Sequence, residues 1–265
     1  MNNTVNLNSV SLGDIATVGG KNASLGEMLQ HLSATGVWVP GGFATTADAF
    51  KRFLASKDLA QSIYALLADL NESDIQTLQR VSEEIRKKII AQDFQDDFIN
   101  EVSTAYTAMG KDIKVAVRSS ATAEDLPGAS FAGQQQTVLN VVGIENVLDA
   151  MKLVFASLFT DRAIIYRNQQ GFLHNKVAMS IGVQRMVLSE ESVSGVMFTL
   201  DTESGFDDVV LINATYGLGE GIVSGKINPD EFCVYKPALL LGKSPILKRQ
   251  LGSKQIKQVS SDKLG

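Results

Sequence analysis

At 265 residues, with 45% hydrophobic and 20% charged side chains, the chain is long enough for one large core or two joined lobes and too apolar to be disordered. Acidic residues outnumber basic ones by 29 to 24, for a formal net charge of -5, which gives no electrostatic reason to expect nucleic acid or an anionic membrane as partner. The single cysteine, Cys233, excludes an internal disulfide, the opening MNNTVNLNSVSLGD lacks an apolar signal core, and no apolar run reaches transmembrane length, so the expected compartment is the cytoplasm.

Residues 22 to 33 set Ala23, Leu25, Met28, Leu29 and Leu32 at helical spacing, with Gly36 just past the end. VWVPGGFATT (37–46) reads as a short strand or turn. The helical period returns in TADAFKRFLAS, LAQSIYALLADL, SDIQTLQRVSEEIRKKIIAQ and QDDFINEVSTAYTAMG, with Ser73 and Gln76 as a capping box and Gly110 as a stop. Residues 46 to 109 are therefore predicted to be all-helical. After Lys111 the period changes to two: Ile113, Val115 and Val117 alternate in a half-buried strand that ends at Arg118. A loop over 119 to 136 follows, then a strand over 137 to 142 and two helices within 144 to 170, the second holding Asp161, Arg162, Tyr166 and Arg167. From 176 the chain reads as strand after strand: KVAMSIGVQRMV, SGVMFTLD, DDVVLINATYG, DEFCVYK and PILKRQLG. Helices largely precede sheet, which makes the class α+β.

Three segments are candidates for binding an anion. In VAVRSSATAEDLPGASFAGQQQT (115–137), small and hydroxyl-bearing residues leave backbone N–H groups open, and Arg118 offers a planar guanidinium that matches phosphate oxygens bidentately. Taken alone the segment fits an ordinary surface loop at least equally well, and Glu124 and Asp125 argue against phosphate unless they face away or pair with a base. VGGKNASLGEM (18–28) places two glycines and Lys21 before a helix, whose N-terminus attracts anions through its unpaired N–H groups and dipole. This is not a Walker A loop, because Ile15 and Asn22 stand where glycine and a hydroxyl are required; a lone Gly-Gly-Lys is more commonly a turn into an amphipathic helix. TYGLGEGIVSG (215–225) misses the dinucleotide-binding spacing because position 222 is Ile, and reads as a glycine-rich strand connection. His31, near a helix end, reads as a polar cap; His31 and His174 have no metal-ligand spacing and no Ser-His-Asp set is visible, so no metal site is assigned.

Together with VPGGFATTADAF, VFASLFTDRAIIYR, GVQRMV, SGVMFTLDTESGFDDVV and YGLGEGIVSGKINPDEF, taken in that order, these segments resemble the N-terminal nucleotide-binding domain of the phosphoenolpyruvate synthase and pyruvate phosphate dikinase family, to which the rifampin phosphotransferases are also related. The resemblance runs from about Leu12 to the end. It implies an ATP-grasp-like domain of two lobes, 1–185 (helical over about 20–110, then sheet and a phosphate-covering loop) and 186–265 (a partial second lobe, mostly strands). By the same resemblance Lys21 and Arg118 match the triphosphate-binding lysine and arginine and form the catalytic pair. Gly133 and Thr137 match positions where the loop covers the nucleotide, and Gln184 matches a residue of the strand lining the cleft. The implied reaction is ATP plus pyruvate plus water giving phosphoenolpyruvate, AMP and phosphate through a phosphohistidine. Its implied partners are ATP and the phosphohistidine and pyruvate-binding domains of a longer parent chain, with a homodimer allowed in the intact enzyme. Mg2+ is implied as well, with ligands beyond Gly265, so the chain alone is expected to be inactive. A non-catalytic nucleotide-binding module, and the nucleotide domain of an antibiotic- or glucan-phosphorylating enzyme, are the alternatives.

Overall fold

A computed structural model describes residues 2–68, 70–71, 74–122 and 136–259. The chain divides into two compact units, one running through Met186 and the other beginning at Val187.

The first unit opens with a short strand β1 (Thr4–Asn6) and a helix α1 (Ile15–His31). The helix begins seven residues earlier than the periodicity predicts, but it is broken at Gly19, whose φ of 75° and ψ of 163° lie in a region essentially reserved for glycine. The amphipathic stretch from Gly20 is thus a helical segment with its own start. Strand β2 (Gly42–Thr45) leads into α2 (Ala47–Ala55), α3 (Leu59–Ala68), α4 (Ile75–Ala91) and α5 (Asp96–Met109). This agrees with the all-helical prediction for 46 to 109 among the described residues. The start of α4 differs in its cap: the Asp74 carboxylate accepts from the N–H groups of Gln76 and Thr77, so Asp74 does the work the sequence reading gave to Ser73, which lies outside the described residues. At the other end of this region α5 stops at Gly110, as predicted, with φ at 133°.

Strand β3 (Val115–Ala121) runs three residues past Arg118, then β4 (Thr137–Val141), α6 (Ile144–Ser157), α7 (Asp161–Gln169) and β5 (Met179–Arg185) complete the unit. Arg118 is therefore mid-strand and not at a strand end. The reason is pairing: Ser119, Ser120 and Ala121 continue the antiparallel ladder against Ile181, Ser180 and Met179, which local composition does not reveal. The strands form one antiparallel sheet in the order β1-β2-β5-β3-β4. Between β3 and β4 the register slips, with Asn140 at φ 60° providing the left-handed residue of the irregularity.

Alternation decides which neighbouring layer each side chain meets, and the central strands β3 and β5 are buried on both faces. Phe43, Val115, Val117, Met179, Ile181 and Val183 point to one side and join the main core with α2 to α7. Within it Phe155 touches Phe50 and Phe53 at ring-centroid distances of 4.8 and 5.4 Å, and Phe94 stacks on Phe98 at 4.5 Å. The opposite side carries small and polar residues and is packed by α1 through a smaller cluster of Leu7, Val10, Val18, Ala23, Leu25 and Ala44. The sheet is the middle of three layers.

The second unit is an antiparallel meander, β6 (Val193–Phe198), β7 (Val209–Tyr216), β8 (Asp230–Tyr235) and β9 (Ile246–Gln250), in sequential order. Two short helices, α8 (Glu220–Val223) and α9 (Lys236–Leu240), interrupt a region predicted to be mostly strands. In the glycine-rich connection Gly217 has a φ of 78°, and a Cβ there would meet Gln258 O at 2.1 Å. The glycine serves close packing of backbone on backbone, consistent with a structural connection.

Candidate functional site

The second face of the first unit's sheet carries three of the predicted site residues, Arg118, Thr137 and Gln184. Arg118 is the cross-strand partner of Thr137 on β4 and of Gly182 on β5, so the side chains of Arg118 and Thr137 stand on the same face. Gln184, two residues along from Gly182, shares that face. The Arg118 guanidinium donates from Nη1 to Gln184 Oε1 at 2.9 Å, and Gln184 Nε2 donates to the carbonyl of Pro40, also at 2.9 Å. Gln184 is buried, whereas Arg118 is partly exposed and Thr137 exposed. A planar cation is thus held on a half-open sheet surface by a buried amide that is itself anchored to the backbone before β2.

The start of the Gly20 segment of α1 is tied to the same face, two residues further along each strand. Asn22 is 3% exposed; its main-chain N–H donates to Ser120 Oγ at 3.1 Å, and its Nδ2 donates to Ser180 Oγ at 2.9 Å and to Val18 O at 3.1 Å. Ser180 and Ser120 are cross-strand partners, and Ser180 Oγ in turn donates to Thr45 O at 2.6 Å. Two glycines permit this approach. A Cβ on Gly19 would lie 2.3 Å from Ser120 O, and one on Gly182 would lie 2.3 Å from Asn22 Oδ1. Lys21 is exposed and adjoins Asn22 at this junction, so the lysine and Arg118 are brought to one region from distant parts of the sequence.

Four of the five sequence-predicted residues, Lys21, Arg118, Thr137 and Gln184, therefore belong to one neighbourhood. Gly133, with Glu124 and Asp125 and most of the predicted covering loop, lies outside the described residues. That loop also starts later than 119, since β3 continues through Ala121. Sequence reasoning missed Asn22, Ser120, Ser180 and Gly182. The available signal was in β5, where Ser180 and Gly182 alternate with Met179, Ile181 and Val183, which marks a strand face built for close approach.

Neither histidine joins the group. His31 ends α1 and pairs with Glu27 at 3.2 Å. His174 accepts from Arg167 Nε at 2.9 Å; burial, then the Arg167 charge, hold its imidazole down to about 4. Arg167 is 1% exposed, donates to Leu158 O, lies 5.4 Å from the Phe159 ring centroid, and is itself lowered to about 10 by burial.

A scan of protein families matches residues 15–265 to the pyruvate phosphate dikinase, AMP/ATP-binding domain family. Among curated proteins the chain is 55% identical over 260 residues to a phosphoenolpyruvate synthase of Neisseria meningitidis serogroup B, covering 96% of this chain and 33% of that protein. Proteins of the same name from Pseudomonas aeruginosa and Escherichia coli K12 are 54% and 53% identical, over 97% and 95% of this chain and 33% and 32% of theirs. This chain belongs to the pyruvate phosphate dikinase AMP/ATP-binding domain family, and it spans about a third of the length of the curated relatives it matches. No helix among the described residues is long and apolar enough to cross a membrane.

Proposed function

We propose that this chain is the ATP-binding part of a phosphoenolpyruvate synthase, a pyruvate, water dikinase, and that its nucleotide phosphates bind over the sheet face that carries Arg118. The observation that supports this most is the break at Gly19, which starts a helical segment with Lys21 against the face that holds Arg118. A lysine at a helix start and an arginine on the sheet face against which that start packs combine two cations with positive dipole, an arrangement suited to a polyphosphate. Arg118 would grip phosphate oxygens in a geometry set by Gln184; Lys21 would act as a point charge; the Thr137 hydroxyl would offer a hydrogen bond from the β4 edge, with Gly133 in the covering segment. The two units read as the two lobes of an ATP-grasp-like domain, divided near 185.

In this reading the chain binds and orients ATP and neutralises charge that builds during transfer, while pyruvate and the histidine acceptor belong to other domains of a longer polypeptide. Phosphoryl transfer rests on such positioning and charge stabilisation. The resemblance implies Mg2+, but among the described residues no group of three or more His, Cys, Asp or Glu side chains comes together to hold an ion.

The test is ATP binding and turnover by Lys21→Ala and Arg118→Ala in the full-length polypeptide, with Lys57→Ala, an exposed residue paired to Asp93 at 3.3 Å, as control. Each site variant is expected to lose about 1.5 to 3 kcal/mol of ATP affinity, roughly tenfold to a hundredfold, with its melting temperature kept. Normal ATP kinetics for both variants, or a loss that only tracks unfolding, would remove these residues from the site.

A further inference from the structure

The contacts of Asn22 point to a role that neither its residue type nor the motif assigns. It touches three residues of the sheet face that surrounds Arg118. Ser120 is two positions along β3 from Arg118, Gly182 is the cross-strand partner of Arg118, and Ser180 is the partner of Ser120. Its side-chain amide also closes onto Val18 O, spanning the break at Gly19. Every one of these contacts lies under the residue next to Lys21.

We propose that Asn22 is a positioning residue that fixes the backbone of Lys21 relative to Arg118, and so sets the spacing of the two cations for a polyphosphate chain; this rests on the nucleotide reading above. A lysine side chain has four flexible carbons and no rigid fork, so its reach onto one phosphate depends on where its Cα is anchored. The helical ladder is interrupted at Gly19, so the Gly20 segment does not simply continue the helix before it. The Asn22 bonds to two strands fix where that segment starts. With Asn22 buried among protein partners and Lys21 exposed, Asn22 acts through its neighbour and not through the ligand. Small displacements of a positioned charge cost disproportionately, since the alignment of the group and not its presence is lost.

The decisive experiment is a double-mutant cycle in the full-length polypeptide, reading calorimetric affinity for ATP, inorganic tripolyphosphate and adenosine. Asn22→Ala should weaken ATP and tripolyphosphate about tenfold and leave adenosine within about twofold. In the Lys21→Ala background it should add less than about twofold, because the residue it positions is gone. Ser120→Ala, which removes only the acceptor of the Asn22 N–H, should give the same pattern at severalfold, and carries the test if Asn22→Ala does not fold. Additive losses in the cycle, or an equal loss for adenosine, would overturn the positioning role. Normal ATP affinity in Lys21→Ala would bring down the nucleotide reading and the proposal with it, whereas a tenfold loss there with normal affinity in Asn22→Ala would overturn the proposal alone.

Discussion

The unit that ends at Met186 buries a continuous interior, with Phe50, Phe53, Phe94, Phe98 and Phe155 in mutual contact beneath one face of its sheet and α1 on the other. In the unit from Val187, the apolar side chains buried among the described residues are Val209, Leu218 and Ile227, while Val193, Met197, Phe198, Tyr216 and Leu247 are exposed. Both contain well-paired antiparallel sheets, so the difference lies in what covers them. A sheet that packs helices on both faces draws its stability from side-chain burial. In the meander, where few described apolar side chains are buried, ladder hydrogen bonds and close turns such as that at Gly217 carry a larger share. The candidate site sits in the first kind of unit, where rigid layers can hold charged groups in register.

The largest expected effect tests the interior of the first unit. Phe155 is fully buried and its ring lies 4.8 Å from that of Phe50 and 6.2 Å from that of Phe94. Phe155→Ala should lower unfolding free energy by about 3 to 5 kcal/mol, read as a fall in the denaturant midpoint at unchanged m. A loss below about 1 kcal/mol would mean that this interior is not one packed body.

Next comes the join between α1 and the sheet. Gly19→Ala demands an L-residue conformation reserved for glycine and puts a Cβ 2.3 Å from Ser120 O. We expect a loss of roughly 2 to 3 kcal/mol in stability from strain and overlap, together with a fall in ATP affinity because the Lys21 segment must shift. A variant that keeps both would show that the break at Gly19 is incidental.

The helices of 46 to 109 were legible because each carries its own 3.6-residue period, and period and burial agree: Leu78, Val81, Ile85 and Ile89 on α4 are all buried. The length of β3 was not, since Ser119 and Ser120 are poor local strand formers and are held extended only by their partners on β5. A different, local cause hid α9, where the Lys236-Pro237 start is followed by only three further helical residues, and the Asp74 cap, where several N-cap formers compete within a few residues. Of the site, Lys21 and Arg118 were visible as charges beside glycine and hydroxyl residues. Asn22 was not, because its role depends on Ser180, 158 residues away in the chain.

A pH titration separates the units by a third route. His174 is held neutral in the first unit, lowered to about 4 by burial and by Arg167, against an ordinary value of 6.5. Between these values the unfolded chain binds a proton that the folded chain does not. Stability should therefore fall as pH drops from about 6.5 to about 4, and flatten below that as far as this group is concerned. His174→Gln should reduce the slope in that window when urea midpoints are compared at pH 7, 5.5 and 4.5. The same slope in the variant would move the effect to other groups.

The smallest effect is expected on the meander itself. Met197 pairs with Ile212 and Ile212 with Phe232, which sets these three side chains in a row on one face, and Met197 is 64% exposed. Val193, four residues earlier on β6, faces the same way at 61% exposed. Replacing Met197 by Ser in this 265-residue chain removes little buried area, so unfolding free energy should change by no more than about 0.5 kcal/mol. Val193→Ser should behave alike, with a slightly larger cost because Ser packs a strand less well than a β-branched residue. The pair of variants should also lower binding of a hydrophobic dye, since less apolar surface is presented to solvent. Destabilisation of 1.5 kcal/mol or more by Met197→Ser would mean that the row from Met197 to Phe232 is covered in solution, and the contrast between a packed unit and a single-layer one would no longer hold.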